Sequence, residues 1–329
     1  MNDLESRRRV LLRAAVAAAA LAATTHSRAQ SFPTRPVQIA VPFPPGGVTD
    51  TLARLLGMEL QNALGQPFVV LNKPGASGAI AAGFVKQALP DGYTLMMGHI
   101  GTHAVNPWLY PDLSYDPVRD FTPIALLAST PVALFASLKA PGATWAEIVA
   151  ASRERPGKLT FASFGAGSSS HLYAEQLQAI AGVKWLHIPY KGPAPAMQGL
   201  MAGEVDLLFD TLASGMPPAK AGRIQAIATA APSRPAIAAD VQTFSELRVA
   251  GMDGGPWFAL FAPRGTSPAV VKVLSGAVRA ALSAPSVAAV LSAQGVTIIN
   301  RGPDELAAFQ KQEMARWGEN VKRFHIKVD

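Results

Sequence analysis

From residue 35 onward, short apolar runs alternate with stretches of helical period, a pattern that predicts an α/β architecture. Val37-Gln38-Ile39-Ala40-Val41 predicts a strand, ended by Pro42-Phe43-Pro44-Pro45-Gly46-Gly47. Thr49 or Asp50 then caps a helix whose apolar stripe is Leu52, Leu55, Leu56, Leu60 and Leu64, closed by Gly65. A strand over 68–71, a turn at Pro74-Gly75-Ala76-Ser77-Gly78, a helix over about 79–88 and a strand over 94–98 complete two β-α repeats.

The stretch 121–137 is apolar and rich in β-formers, but it contains Pro123 and Pro131. Proline argues against a central position in a sheet, so this stretch reads as an extended crossing between domains. A second series follows, with helices near 143–154, 169–181, 193–202 and 213–221. Its strands are expected near 159–162, 185–189, 205–209 and 224–229. Another extended run occupies 256–263, then helices near 267–283 and 286–294, a strand near 296–300 and a helix from about 304 to 323.

Two extended runs flanking a block of about 120 residues suggest one domain inserted into another, with a ligand cleft at the junction. The boundaries expected are 30–130 with 260–329 for domain 1 and 131–259 for domain 2. A single doubly wound sheet fits the same spacing.

Composition narrows the setting. With 329 residues, 49% of them hydrophobic, the chain can bury one large core or two moderate ones. Arg7, Arg8, Arg9, Arg13 and Arg28 against Asp3 and Glu5 put +3 of the formal +7 into the first 29 residues, leaving about +4 for the remainder. That balance is mild and scattered, which argues against a nucleic-acid partner and merely permits an anionic ligand. The arginine cluster, an alanine-rich stretch over 14–23 and Ser27-Arg28-Ala29 form the three parts of an export signal. A signal peptide over 1–29, cleaved near Ala29, and a periplasmic location are therefore expected. The arginines before Val10-Leu11-Leu12 resemble a twin-arginine signal, and an ordinary secretory signal is the alternative. With no cysteine there is no lipid attachment, disulfide or thiolate metal site.

Two β-α junctions carry the candidate chemistry. Gly46-Gly47-Val48-Thr49-Asp50 brings a strand into a helix N-terminus, where unpaired N–H groups and the helix dipole suit a carboxylate; a plain capped turn is the alternative. No Gly-Lys-Ser/Thr follows, which excludes a phosphate loop. Gly165-Ala166-Gly167-Ser168-Ser169-Ser170 offers hydroxyls at a second helix start, but it lacks the third glycine of a dinucleotide fingerprint, so no cofactor is implied. Ser170 and His171 are neighbours that cannot face each other on a helix, and no nucleophile elbow occurs. His99 and His103 have metal-pair spacing, yet Gly98 and Gly101 predict loop histidines and no metal site. His187 reads as a core or sheet-edge residue. Asp210 ends a strand and faces either a cleft or its own helix cap.

Motifs running in order along the chain then carry a resemblance. They include Val41-Pro42-Phe43-Pro44-Pro45-Gly46-Gly47-Val48-Thr49-Asp50, Asn72-Lys73-Pro74-Gly75-Ala76, Pro90-Asp91-Gly92-Tyr93-Thr94-Leu95, Asp116-Pro117-Val118-Arg119-Asp120-Phe121, His187-Ile188-Pro189-Tyr190-Lys191-Gly192 and Gly203-Glu204-Val205-Asp206. From about residue 31 to Trp317-Gly318 the chain resembles the tripartite tricarboxylate transporter receptors, also called the Bug family. The resemblance implies a periplasmic binding protein type II fold: two α/β domains with a ligand cleft, joined by two crossing strands. It also implies a small carboxylate ligand, membrane carrier subunits as partners, a monomer and no enzymatic activity. Ligand-binding positions implied are Phe43, Pro44, Gly46, Gly47, Val48, Thr49 and Asp50, then Ser77 and Gly78, Gly167, Ser168, Ser169 and Ser170, and Asp210. Val48 stands where many relatives have a third glycine, and Thr211 where many have Asn, so the pocket walls differ. A sensor presenting its closed form to a membrane kinase is equally compatible with the sequence, and a small-ester hydrolase is disfavoured by the missing elbow.

Overall fold

The computed structural model describes residues 32–252, 254–324, 326 and 327; the expected signal peptide lies outside them. The chain divides after Thr34, and the unit beginning at Arg35 contains two sheets.

The first sheet is built from strands β1 (Val37–Val41), β2 (Phe68–Asn72), β3 (Thr94–His99), β4 (Phe121–Ser129), β10 (Trp257–Pro263) and β11 (Thr297–Arg301), in the order β11-β4-β10-β3-β1-β2. β1 runs parallel to β2 and β3, with Val37 opposite Phe68 and Ile39 opposite Leu95, whereas β10 is antiparallel to both β3 and β4. The second sheet comprises β5 (Val132–Ser137), β6 (Thr160–Ser163), β7 (Leu186–Pro189), β8 (Leu207–Thr211) and β9 (Ile224–Thr229), in the order β7-β6-β8-β5-β9. Every residue of β5, β8 and β10 is buried, as expected of strands covered on both faces.

Ten α-helices connect these strands among the described residues: α1 (Val48–Leu64), α2 (Ala79–Lys86), α3 (Asn106–Leu109), α4 (Trp145–Glu154), α5 (Ser169–Ala181), α6 (Pro193–Ala202), α7 (Leu212–Lys220), α8 (Pro268–Leu282), α9 (Pro285–Ala293) and α10 (Pro303–Arg323). Their ends obey local chemistry. Gly65, Gly182 and Gly203 stop α1, α5 and α6 in the left-handed conformation, where glycine carries no Cβ penalty. Thr144 and Glu147 form a reciprocal capping box at the start of α4. No single described helix is long and apolar enough to cross a membrane.

The stretch 121–137 is not one extended crossing. It is two strands in two different sheets, and the crossing itself is only Thr130-Pro131. Nor does proline keep β4 at an edge, since β4 lies between β11 and β10. Pro123 sits opposite Phe261 at a register shift and beyond the residues that pair with β11, so its missing N–H interrupts no regular ladder. Trp257, Phe258 and Ala259, expected in the inserted block, belong to the first sheet.

The outgoing and returning crossings touch. Thr130 N–H donates to the Pro256 carbonyl at 3.1 Å, and a Cβ on Gly255 would run into the Thr130 carbonyl. The terminal helix α10 packs on β4, and its buried Trp317 meets the ring of Tyr173 on α5 edge-on, with centroids 5.8 Å apart. The α10 residue Glu313 accepts from the Trp257 indole at 3.0 Å, just past the return crossing.

Candidate functional site

Strand C-termini from both sheets point at one cleft, the position where open α/β sheets bind ligands. It has two chambers, of about 480 and about 60 Å³, which share Phe43, His99 and Phe164 as walls. The outer chamber is bounded by Phe43 and Pro44, the 74–78 turn, Tyr110, the 164–168 loop and Lys191-Gly192. The inner one is bounded by Gly47, Val48 and Thr49, by Ser169 and Pro193, by Asp210, Thr211 and Ser214, and by Pro256 and Phe258. Its volume is several times the roughly 10–15 Å³ that one water requires, enough for a carboxylate group.

Four helices bring their N-termini to the inner chamber, α1 from the first sheet and α5, α6 and α7 from the second, and at α7 the Thr211 hydroxyl already accepts from Ser214 N–H. Neither the Gly47 cap of α1 nor the Ser168 cap of α5 gives a side-chain hydrogen bond to its helix, so first-turn N–H groups remain available. Each helix also brings about half a positive charge to its N-terminus. α6 contributes less, because Pro193 and Pro195 have no N–H. Among the described residues, no arginine lines either chamber, and Lys191 in the outer one is the only cationic lining side chain.

The β1–α1 loop is held from behind by Asp50. Its carboxylate accepts from Gly46 N–H at 3.1 Å, from Arg54 Nε and Nη2 at 3.0 Å each, and from Asn72 Nδ2 at 2.8 Å. The same Asn72 amide also reaches the Phe43 carbonyl at 3.0 Å. Burial pushes the Asp50 pKa up, but the bonds from Arg54, Asn72 and Gly46 outweigh burial and hold it below the usual value. Asp50 therefore lies beneath the loop rather than on a chamber wall. Gly46, at φ 95°, makes the turn and also lines neither chamber.

The serine loop likewise satisfies itself. Ser168 Oγ donates to the Gly165 carbonyl at 2.6 Å and lies 3.0 Å from Ser170 Oγ, which accepts from Phe164 N–H at 3.0 Å. Ser170 is buried and touches neither chamber, whereas Gly167 and Ser168 line the outer one and Ser169 the inner. His171 Nδ1 accepts from Gly167 N–H at 3.1 Å, so Ser170 and His171 make no catalytic pair. Ser163 Oγ lies 2.6 Å from His187 Nε2, but Ser163 is fully buried under the loop.

Across the outer chamber the two sides are joined. Ser77 Oγ and Tyr110 Oη lie 2.7 Å apart, and they reach the Ala166 carbonyl at 2.8 and 3.0 Å. Ser77 and Gly78 both line this chamber, and a side chain on Gly167 (φ 75°) would stand 2.9 Å from Tyr110 Oη. On the opposite rim, Pro44 packs close to Gly192, and Gly47 faces Pro193.

His99 and His103 are buried groups, not loop histidines. His99 ends β3 and His103 lies in a single π-helical turn, Gly101–Val105. His103 stacks on Phe261 at 3.9 Å in the core. His99 stacks on Phe43 at 4.6 Å, and its Nδ1 accepts from Gly101 N–H at 2.6 Å. Its proton is thus on Nε2, which has no protein partner. Burial pushes the His99 pKa down to about 3, so the ring is neutral. Asp210 is 3% exposed; Oδ1 accepts from Thr211 N–H at 2.6 Å, while Oδ2 has no partner. Burial raises its pKa to about 7, opposed by the Thr211 N–H and by the nearby hydroxyls of Ser214 and Thr211. Among the described residues, no group of three His, Asp or Glu side chains is placed to hold a metal ion.

His99, Tyr110, Phe164, Lys191, Pro193 and Ser214 were not anticipated on the cleft walls. His99 and Lys191 follow the same rule as Asp210, because each stands at or just past a strand C-terminus.

The family described as tripartite tricarboxylate transporter family receptor matches residues 52–326. A Rhodopseudomonas palustris protein, Rpa4515, solved with adipate, is 35% identical over 91% of this chain and 100% of its own, with a TM-score of 0.87. The periplasmic binding protein BugD is 33% identical at the same coverages, with a TM-score of 0.85. MatC (Rpa3494) from Rhodopseudomonas palustris, solved with bound malate, is 38% identical over 88% of this chain and 100% of its own, with a TM-score of 0.83.

Proposed function

This chain belongs to the tripartite tricarboxylate transporter receptor family, and from that premise we propose that it captures a small carboxylate between its two lobes and presents it to membrane carrier subunits. One observation carries this reading: the uncapped N-termini of α1 and α5, from opposite sheets, flank an inner chamber that has room for a carboxylate and no arginine. Backbone N–H groups of Val48, Thr49 and Ser169 would hold the anion. The rest of the ligand would extend into the outer chamber, toward Lys191 at its rim. Adipate in Rpa4515 and malate in MatC support a carboxylate ligand class.

The remaining expected positions divide by role. Phe43, Pro44, Ser77, Gly78, Gly167 and Ser168 shape the outer chamber, while Gly46, Asp50 and Ser170 hold the loops that do so. The moving bodies are proposed to be domain 1, residues 35–130 with the described residues after 256, and domain 2, the described residues from 131 to 256, hinged where Thr130 meets Pro256. The mature protein is an exported monomer starting near Gln30, and it binds without chemical conversion.

Thermal-shift and calorimetric screening with mono-, di- and tricarboxylates tests the reading. At about 100 times its dissociation constant a ligand adds about 2.7 kcal/mol to the folded state, a clear shift in Tm. Recovery of a converted product, or no response to any carboxylate, overturns it. Sequencing the N-terminus of periplasmic protein checks cleavage near Ala29, and cytoplasmic full-length chain would contradict export.

A further inference from the structure

Two buried side chains of opposite lobes that line the inner chamber, His99 and Asp210, each keep one enclosed atom without a protein partner. His99 at the end of β3 has Nε2, and Asp210 near the end of β8 has Oδ2. Nδ1 of His99 is engaged by the Gly101 N–H, which makes Nε2 a neutral donor. Asp210 stands on a wall where the N-termini of α1 and α5 favour negative charge, and Thr211 N–H occupies its other oxygen. A ligand carboxylate entering this space would meet a second carboxylate unless one of the two carries a proton.

Resting on the carboxylate reading above, we propose that Asp210 binds the ligand as a carboxylic acid, donating from Oδ2 to one ligand oxygen while His99 Nε2–H donates to it from the opposite lobe. Capture then takes one proton from solvent for each Asp210 that was ionised in the empty protein, and release returns it. No bond other than hydrogen bonds forms. The pair selects ligands presenting a bare carboxylate at the inner end and disfavours an ammonium there, since both protein groups are donors.

Other titratable groups do not substitute for Asp210. Of the elements packed against β8, α5 carries His171, Tyr173 and Glu175 and α7 carries Lys220, whereas β5, β6 and α6 carry none. None of these lines the inner chamber, which Asp210 shares only with His99 among titratable side chains; Lys191 lines the outer one. Burial already places the Asp210 pKa at about 7 in the empty protein, so proton uptake falls in the neutral range.

Calorimetry with acetate, adipate and malate from about pH 6 to pH 9, each in two buffers of different ionisation enthalpy, reads the proton count. Uptake should approach one proton per ligand by about pH 8, with Kd weakening toward tenfold per pH unit above about 7. Asp210→Asn should weaken binding a few-fold and flatten that profile, while His99→Phe should weaken binding at every pH and leave the proton count intact. Carbon-13 NMR of labelled aspartate in the empty protein should show one carboxyl titrating near neutrality, absent in Asp210→Asn. Binding without proton uptake overturns this proposal alone, as does affinity that rises with pH, which would make Asp210 an ionised acceptor. Failure of all three carboxylates to bind overturns the carboxylate reading and this proposal with it.

Discussion

Arg54 grips both oxygens of the Asp50 carboxylate from one helical turn away, and Asp50 in turn holds the β1–α1 loop. The same carboxylate receives Gly46 N–H, so the Pro45–Gly46 peptide plane is set by this pair. In Asp50→Ala the Gly46 N–H loses its acceptor, and the half-buried Asn72 amide keeps only the Phe43 carbonyl. Carboxylate affinity should fall at least tenfold in titration calorimetry although no ligand contact is removed, because the cradle is no longer held in the bound geometry. Hydrogen exchange at 43–50 should speed up in the same variant; unchanged affinity and exchange would show the pair to be ornamental.

Gly47→Leu tests whether the α1 N-terminus receives the ligand. Gly47 has φ −83°, open to any residue, and a Cβ there would meet only Pro193 Cγ at 3.9 Å, so the fold should tolerate the change. The larger side chain would occupy the inner chamber and screen the first-turn N–H groups. Binding should be abolished with Tm within a few degrees of wild type, measured by thermal shift in the absence of ligand. Retained binding would mean that this loop is only a turn.

Tyr110→Phe removes one of the two hydroxyls that reach the Ala166 carbonyl across the outer chamber. A neutral hydrogen bond is worth about 0.5–1.5 kcal/mol, which predicts ligand release about 2- to 13-fold faster. Stopped-flow displacement should show the change in the off-rate and little in the on-rate.

Acid should destabilise the protein through its buried histidines. Burial lowers the His99 and His171 pKa values from 6.5 to about 3 and pushes His103 well down. Below about pH 6.5 the unfolded chain takes up these protons while the folded one refuses them. The stability these groups contribute is thus complete above the unfolded value and declines as pH falls toward the folded one. Each costs up to about 1.4 kcal/mol per pH unit in that window. The unfolding free energy from denaturant melts should fall increasingly steeply from about pH 7 to about pH 4.5 through a lower midpoint, and His103→Phe should remove about one proton from the slope of stability against pH.

Much of the fold was legible locally. The helices at 169–181 and 193–202 and the strand at 224–229 have the limits their periodicity predicted, because Gly182 and Gly203 stop the two helices and apolar periodicity marks the faces that pack. The two candidate loops were visible as glycine-rich junctions between strand and helix. The split of 121–137 was not, since a run of β-formers reads the same whether it stays in one sheet or changes sheets at Thr130-Pro131.

The chain by itself determined its elements, their caps and the residue types brought to the cleft, all consequences of interactions within a few residues. Tertiary structure decided which of those polar groups remain available to a ligand. Asn72 meets Asp50 across 22 residues of chain, and Ser77 meets the Ala166 carbonyl across 89. These pairings consume side chains that looked free in the sequence, while His99 and Asp210, on the wall of the inner chamber, each keep a buried atom without a protein partner. A buried hydrogen-bonding group must find a partner, and only the packed chain settles whether that partner is protein or ligand.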